Sequence, residues 1–350
     1  MSGKPPILPS RTRRKTWSVQ AWVDDLLCFT SHVECILEGV DSAYASWLQN
    51  PDPNNAPRKL LEAVLGRIAA AAPRPDEVTL VLAGDFAASV QRRLPADHPP
   101  YTTDRAGGVA IAKTMDRDDG GYDIVMGIGW LFGRGDEEEQ EEALWRVDNL
   151  LHTAIHEAQH VATGQRGEAT NGARATLGRA GVHSEYVASA GVVMEEYRAV
   201  IVATREHPRC DDDISVDCWL STLESVDAAL QHAASTLDET DVTPTCNAVF
   251  GTAHTMWISL GYLAAGLRAI DHDLTDGERR KHELWWRLAD PYWDDFVAIL
   301  AKIPPADTPM DKAELDAVVL ELADLLPVWL NEIGFEYCDD GEGRYFGVLA

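Results

Sequence analysis

His152-Thr153-Ala154-Ile155-His156-Glu157-Ala158-Gln159-His160 contains one complete His-Glu-x-x-His. On a helix, side chains four residues apart stand about 40° apart around the axis and roughly 6 Å apart along it, so the imidazoles of His156 and His160 can meet at one ion. Glu157 is turned about 100° from His156 and can approach a water at that ion without ligating it. The stretch therefore predicts two metal ligands, His156 and His160, and a candidate general base, Glu157. Zinc at such a site lowers the pKa of water towards neutrality and polarises a carbonyl, and a carboxylate can carry the proton to a leaving amine.

The surrounding residues predict a long helix from about Glu138 to Ala162. Leu144, Val147, Leu151, Ile155 and Ala158 form its apolar stripe, with His156 and His160 on one flank. The acidic run from Glu137 to Glu142 enters this helix, where negative charge complements the dipole. His152 extends the stripe and reads as a half-buried structural histidine. Gly164 to Gly181, rich in Gly, Ala and Arg, reads as a long loop beside the site, of a length that often serves as a lid. A second helix comes next, about Glu185 to Arg205, with Ser184 or the residue before it as its cap. It is apolar almost all round, yet it carries Glu195 and Glu196, and Glu196 lies on the stripe of Val192 and Val200. Burying a lone carboxylate costs several kcal/mol, so Glu196 needs a partner. A metal held by His156 and His160 would be one.

Upstream, Val78-Thr79-Leu80-Val81-Leu82-Ala83 reads as a buried strand, bounded by Pro75-Asp76 and Gly84-Asp85. A helix from Phe86 to Leu94 comes next. Gly108 to Lys113 and Tyr122 to Ile128 are further strands, joined as a hairpin by the turn residues from Asp116 to Gly121. Nearer the N-terminus, the spacing of Trp22, Leu26, Leu27, Val33, Ile36 and Leu37 predicts one helix from Trp17 to Gln49, and Arg58 to Ala71 a second. Beyond Cys210 the chain reads as helical, in segments of about 216–237, 245–270, 275–302 and 312–331, with a closing hairpin over 333–348. Thr252, His254, Thr255, Ser259 and Arg268 interrupt the apolar run near 248–269, which makes it a buried core helix rather than a membrane span. Trp285, Trp286 and Trp293 read as core packing. The expected fold class is α+β and mostly α-helical. It comprises a flexible basic arm (1–16), an N-terminal helical layer (17–75), a metal-binding core with a small sheet (76–210) and a helical C-terminal region (211–350).

These residues resemble the zincin metallopeptidases. His156-Glu157-Ala158-Gln159-His160 matches their His-Glu-x-x-His, and Glu196-Tyr197-Arg198-Ala199 looks like the Glu-x-x-Ala of the gluzincin branch. The resemblance covers about residues 76–206. It implies Zn2+ held by His156, His160 and Glu196, with Glu157 activating water, and favours Glu196 over Glu195 as third ligand. It also implies a peptide or protein substrate lying along a sheet edge. Many gluzincins continue Glu-x-x-Ala with an Asp that orients a ligand histidine, whereas this chain has Val200, so another group must hold the histidine. His183, Tyr186, Tyr197 and His254 are the candidates for stabilising an oxyanion.

Composition narrows the classes. A formal charge of −27 repels nucleic-acid phosphates and anionic membranes and favours basic partners or simple solubility. The six cysteines form no C-x-x-C pair and suit a reducing cytoplasm. Asp24-Asp25 breaks the apolar segment that succeeds the basic N-terminus, so no secretory signal is expected. Two other functions fit the same ligands: a zincin-like binding or regulatory module with a structural metal, and a metal-dependent enzyme that modifies its substrate without cleaving it.

Overall fold

The computed structural model describes residues 32–105, 108–132, 140–177, 181–207, 216–236, 241–279, 282–339 and 344–349. The expected basic arm and the first half of the expected 17–49 helix lie outside them. Strand β1 is Glu34–Glu38, followed by helices α1 (Ser42–Gln49) and α2 (Ala56–Ala71), strand β2 (Val78–Ala83) and helix α3 (Phe86–Gln91). The two-residue strands β3 (Asp104–Arg105) and β4 (Gly108–Val109) precede β5 (Ala112–Asp116) and β6 (Tyr122–Gly127). A short helix α4 (Gly129–Phe132) leads to the motif helix α5 (Gln140–Gln165). Helices α6 (Ala173–Thr176), α7 (His183–Glu206), α8 (Val216–Ser235) and α9 (Thr243–Ala269) come next. Helices α10 (Asp276–Arg279), α11 (Glu283–Leu288), α12 (Asp290–Leu300) and α13 (Lys312–Glu332) lead to a hairpin of β7 (Phe335–Asp339) and β8 (Arg344–Val348). The fold is mostly helical with a small mixed sheet, as its composition of elements predicts.

The sheet has the order β1-β2-β6-β5, with β1, β2 and β6 parallel and β5 antiparallel at one edge. Every residue of β2 is buried, which is why its sequence is apolar without alternation. The β5–β6 hairpin forms as expected, but β5 occupies 112–116 rather than 108–113, because its register pairs Asp116 with Tyr122 across the Arg117–Gly121 turn.

The helical layer expected over 17–75 needs correction. Glu34–Glu38 is a strand, whose pairing with buried β2 overrides the helical spacing of Ile36 and Leu37. Asp41 then caps α1 by accepting a hydrogen bond from the Ala43 amide. The expected 275–302 helix is also interrupted, at Ala289, beyond which Pro291 sits in the first turn of α12. Trp285 and Trp293 pack in the core with ring centroids 5.1 Å apart, but Trp286, one residue round the helix, is 64% exposed.

Two hydrophobic cores result. One joins the sheet to α2 and to Val147, Leu150, Leu151, Ala154, Ala158 and Val161 of α5. The other gathers α7 with the C-terminal helices and hairpin, around Trp257, Trp285, Phe296 and Trp329. Their seam is the contact of α5 with α7, where Ile155 meets Val202, Ala203 and Ala306. α7 shares its core with the helices beyond residue 210. No helix among the described residues is long and apolar enough to cross a membrane.

At the far end of the seam His152, expected to be half-buried, is buried, and its Nδ1 donates to the His207 carbonyl at 3.0 Å. Burial, with a smaller contribution from Arg67, pushes His207 down to about 4. An unfolded chain takes up this proton near pH 6.5 and the folded chain does not, so the stability is full above pH 6.5 and is lost as pH falls towards 4. The full effect is about 3 kcal/mol at ~1.4 kcal/mol per pH unit. His207→Gln is expected to lose about 2 kcal/mol less than wild type between about pH 7 and 4.5. Chemical denaturation at the two pH values measures this, and equal losses would sink the assignment.

Candidate metal centre

The site forms where α5 and α7 cross the seam. The two helices run antiparallel, because His152 lies beside His207 while His156 and His160 lie beside Glu196 and Glu195. Both histidines stand on α5, whose other side packs into the sheet core. His156 Nε2 lies 3.1 Å from Glu196 Oε2, His160 Nε2 lies 3.7 Å from Glu196 Oε1, and the two Nε2 atoms lie 3.0 Å apart. Tetrahedral ligands at bonds of ~2.0–2.2 Å are separated by roughly 3.4 Å, a value these distances bracket. The donor set of two imidazole nitrogens and one carboxylate oxygen, all within 4.8 Å of one another, could hold a metal ion. The side chains of His156, His160 and Glu196 remain 13%, 12% and 21% exposed, so solvent reaches the cluster.

Charge couples the three groups. Burial alone would lower His160, but the Glu196 charge and hydrogen bonds to Glu195 and Glu196 outweigh it and hold the imidazole well above its ordinary value. Glu196 shows the converse: burial opposes ionisation, and the His160 charge with the two histidine contacts holds its carboxyl well below the usual range.

Glu195, the alternative third ligand, has a different place. Its Oε1 lies 3.3 Å from His160 Nδ1, on the side of the ring away from the cluster. Its Oε2 accepts hydrogen bonds from the Thr170 and Asn171 amides at 3.1 and 2.8 Å. A carboxylate fixed in this way selects the tautomer that leaves Nε2 free to ligate. Glu195 thus engages the Nδ1 side of His160. The backbone that delivers those amides passes close over α7, where a Cβ on Gly191 would stand 2.1 Å from the Thr170 carbonyl oxygen. Between α5 and α6, Glu168 and Thr170 are buried, so this stretch of the expected loop packs against the protein.

Glu157 is 8% exposed and points to the sheet. Its Oε2 accepts from the Thr114 amide at 2.7 Å and from Thr114 Oγ1 at 2.8 Å, which ties it to edge strand β5. Among the described residues Oε1 receives no hydrogen bond. The carboxylate is thus anchored to β5 by one oxygen.

Of the four oxyanion candidates, three are engaged elsewhere. His183 pairs with Asp324 at 2.9 Å, Tyr186 donates to the Tyr337 carbonyl at 3.1 Å, and Tyr197 accepts from Arg268 at 2.9 Å. His254 is nearer, with Nδ1 3.1 Å from Ser189 Oγ on α7. Burial lowers its pKa, and the charge of Glu196 partly opposes that. The residue that sequence reasoning missed is Tyr262 of α9, whose hydroxyl donates to Glu196 Oε2 at 2.8 Å. It lies 66 positions from its partner in an apolar helix, and only the pairing of α7 with α9 brings it in.

The chain matches no protein-family model, no curated protein and no solved structure.

Proposed function

We propose that this chain is a zinc-dependent hydrolase of zincin type that cleaves a peptide or amide bond. The observation that carries the reading is the convergence of His156 Nε2, His160 Nε2 and a Glu196 carboxylate oxygen from two antiparallel helices, with Glu157 beside them on α5. Zinc, when bound, supplies Lewis acidity and makes water acidic enough to lose a proton near neutrality. Glu157 Oε1 would accept a proton from water as the water oxygen bonds to the substrate carbonyl carbon, and would pass it to the amine nitrogen as the C–N bond breaks, while Thr114 holds Oε2. His156 and His160 orient the cluster through Nε2, and Glu195 fixes His160 from behind. β5, as the sheet edge nearest Glu157, offers backbone groups to an extended substrate. The acidic field favours basic peptides in solution.

Purified protein is expected to carry one zinc per chain by elemental analysis, and His160→Ala to lose it. Hydrolysis of a mixed peptide library is expected to stop on chelation and return with zinc, giving two fragments whose masses sum to substrate plus water. A protein that takes up no zinc overturns the proposal. A product of altered mass without cleavage redirects it to a modification enzyme, and a stable zinc with no turnover to a structural site.

A further inference from the structure

We infer that Tyr262 is a positioning residue for the metal ligand Glu196, through which the C-terminal helical region sets the affinity of the site. This rests on the proposed metal centre. The role emerges from how α9 lies on α7. Successive contacts pair Ser189 with His254, Val193 with Gly261 and Glu196 with Tyr262, so the two helices run side by side in the same direction. A Cβ on Gly261 would stand 3.2 Å from Val193 Cγ1, so the helices approach closely just where Tyr262 projects.

Tyr262 then does two things at once. Its hydroxyl donates at 2.8 Å to Glu196 Oε2, the oxygen that faces His156 Nε2 at 3.1 Å. Its ring meets the His156 ring edge-on, with centroids 6.3 Å apart and planes at 76°. His160 has Glu195 to orient it, whereas no carboxylate among the described residues contacts His156 Nδ1. Tyr262 is the group that confines this half of the cluster. A glutamate has three side-chain torsions, and an outer hydrogen bond that selects one carboxylate placement improves affinity by limiting what must be ordered on binding. The residue comes from outside the segment that carries the zincin resemblance, so the centre needs α9 for its completion.

Tyr262→Phe removes the hydroxyl and keeps the ring. Zinc affinity, measured by competition with a chromophoric chelator, is expected to fall by roughly 10- to 100-fold. The visible absorption of the cobalt-loaded protein is expected to change in position or intensity, a readout of ligand geometry that general destabilisation does not move. In a Glu196→Gln background, the same substitution is expected to change affinity by less than about twofold, because both act through one contact. Wild-type affinity and an unaltered cobalt spectrum in Tyr262→Phe overturn the inference while leaving the metal centre intact. Additive losses in the double variant also overturn it. A wild-type chain that binds neither zinc nor cobalt overturns the metal centre itself, and the role of Tyr262 with it.

Discussion

Glu157→Gln is expected to lower peptide hydrolysis by on the order of 10²- to 10⁴-fold with zinc content unchanged. The substitution is close to isosteric. The glutamine carbonyl can still accept from the Thr114 amide and hydroxyl, which hold Glu157 Oε2 at 2.7 and 2.8 Å, so the side chain keeps its anchor on β5. What disappears is basicity at the second oxygen, and an amide cannot take a proton from water near neutral pH. The rate loss corresponds to about 3–5 kcal/mol of barrier. The converging donors are His156, His160 and Glu196, and Glu157 is not among them, so the metal stays. Steady-state turnover and elemental analysis on the same preparation separate the outcomes. Full activity in Glu157→Gln would falsify the assignment of Glu157 as base, and loss of zinc together with activity would make it a ligand instead.

The parts of this centre that the sequence discloses are those fixed by a single helix or by a solvation argument. His156 and His160 are four apart, and helical geometry alone makes them neighbours. Glu196 is recoverable because a carboxylate on an otherwise apolar stripe demands a partner. His152 is placed by the apolar stripe of α5. Glu195, Thr114 and Tyr262 each reach the site through a contact that depends on the crossing of separate elements. Glu195 acts only because the Thr170 and Asn171 amides turn towards it, and those amides are placed by the close pass over Gly191. No periodicity in either segment records that approach. β1 is hidden for a related reason, since five residues with mixed burial gain their strand identity from β2. Trp286 shows the limit of spacing arguments inside a short helix, where one step of about 100° separates a core position from solvent.

The position of the centre between two hydrophobic cores also bears on its stability. α5 is fixed to the sheet and α7 to the helical body, so the ligand geometry depends on whatever locks the two together. A small apolar cluster around Ile155 contributes, and a buried ion pair two residues beyond Glu196 ties α7 to the segment that follows α5.

Arg198→Met is expected to destabilise the protein by about 3 kcal/mol, the low end of the usual effect of breaking a buried ion pair. Arg198 is 1% exposed and donates to Glu168 Oε2 at 2.7 Å, to the Pro304 carbonyl at 3.1 Å and to the Thr308 carbonyl at 3.1 Å. Its own carbonyl accepts from the Ala306 amide at 3.2 Å. One guanidinium thereby joins α7, the stretch around Glu168 that follows α5, and the turn between α12 and α13. Burial pushes the Glu168 carboxyl up, but hydrogen bonds from Arg166 and Arg198 outweigh it and keep Glu168 ionised below the ordinary range. Methionine fills much of the arginine volume and leaves this carboxylate with Arg166 alone, in a place where an uncompensated charge is poorly solvated. The remaining Arg166 contact at 2.7 Å is the reason for choosing the low end. Replacing both partners, Arg198→Met with Glu168→Leu, is expected to be less damaging than Arg198→Met alone, since no buried carboxylate is stranded and Arg166, a fifth exposed, keeps the Ala306 carbonyl. Urea denaturation of the three proteins gives the comparison. A single variant as stable as wild type, or a double variant worse than the single, would remove the ion pair from the account. Because Glu168 stands two residues before Thr170, the loosened segment also withdraws amides from Glu195. The single variant is therefore expected to bind zinc more weakly even at temperatures where it remains folded.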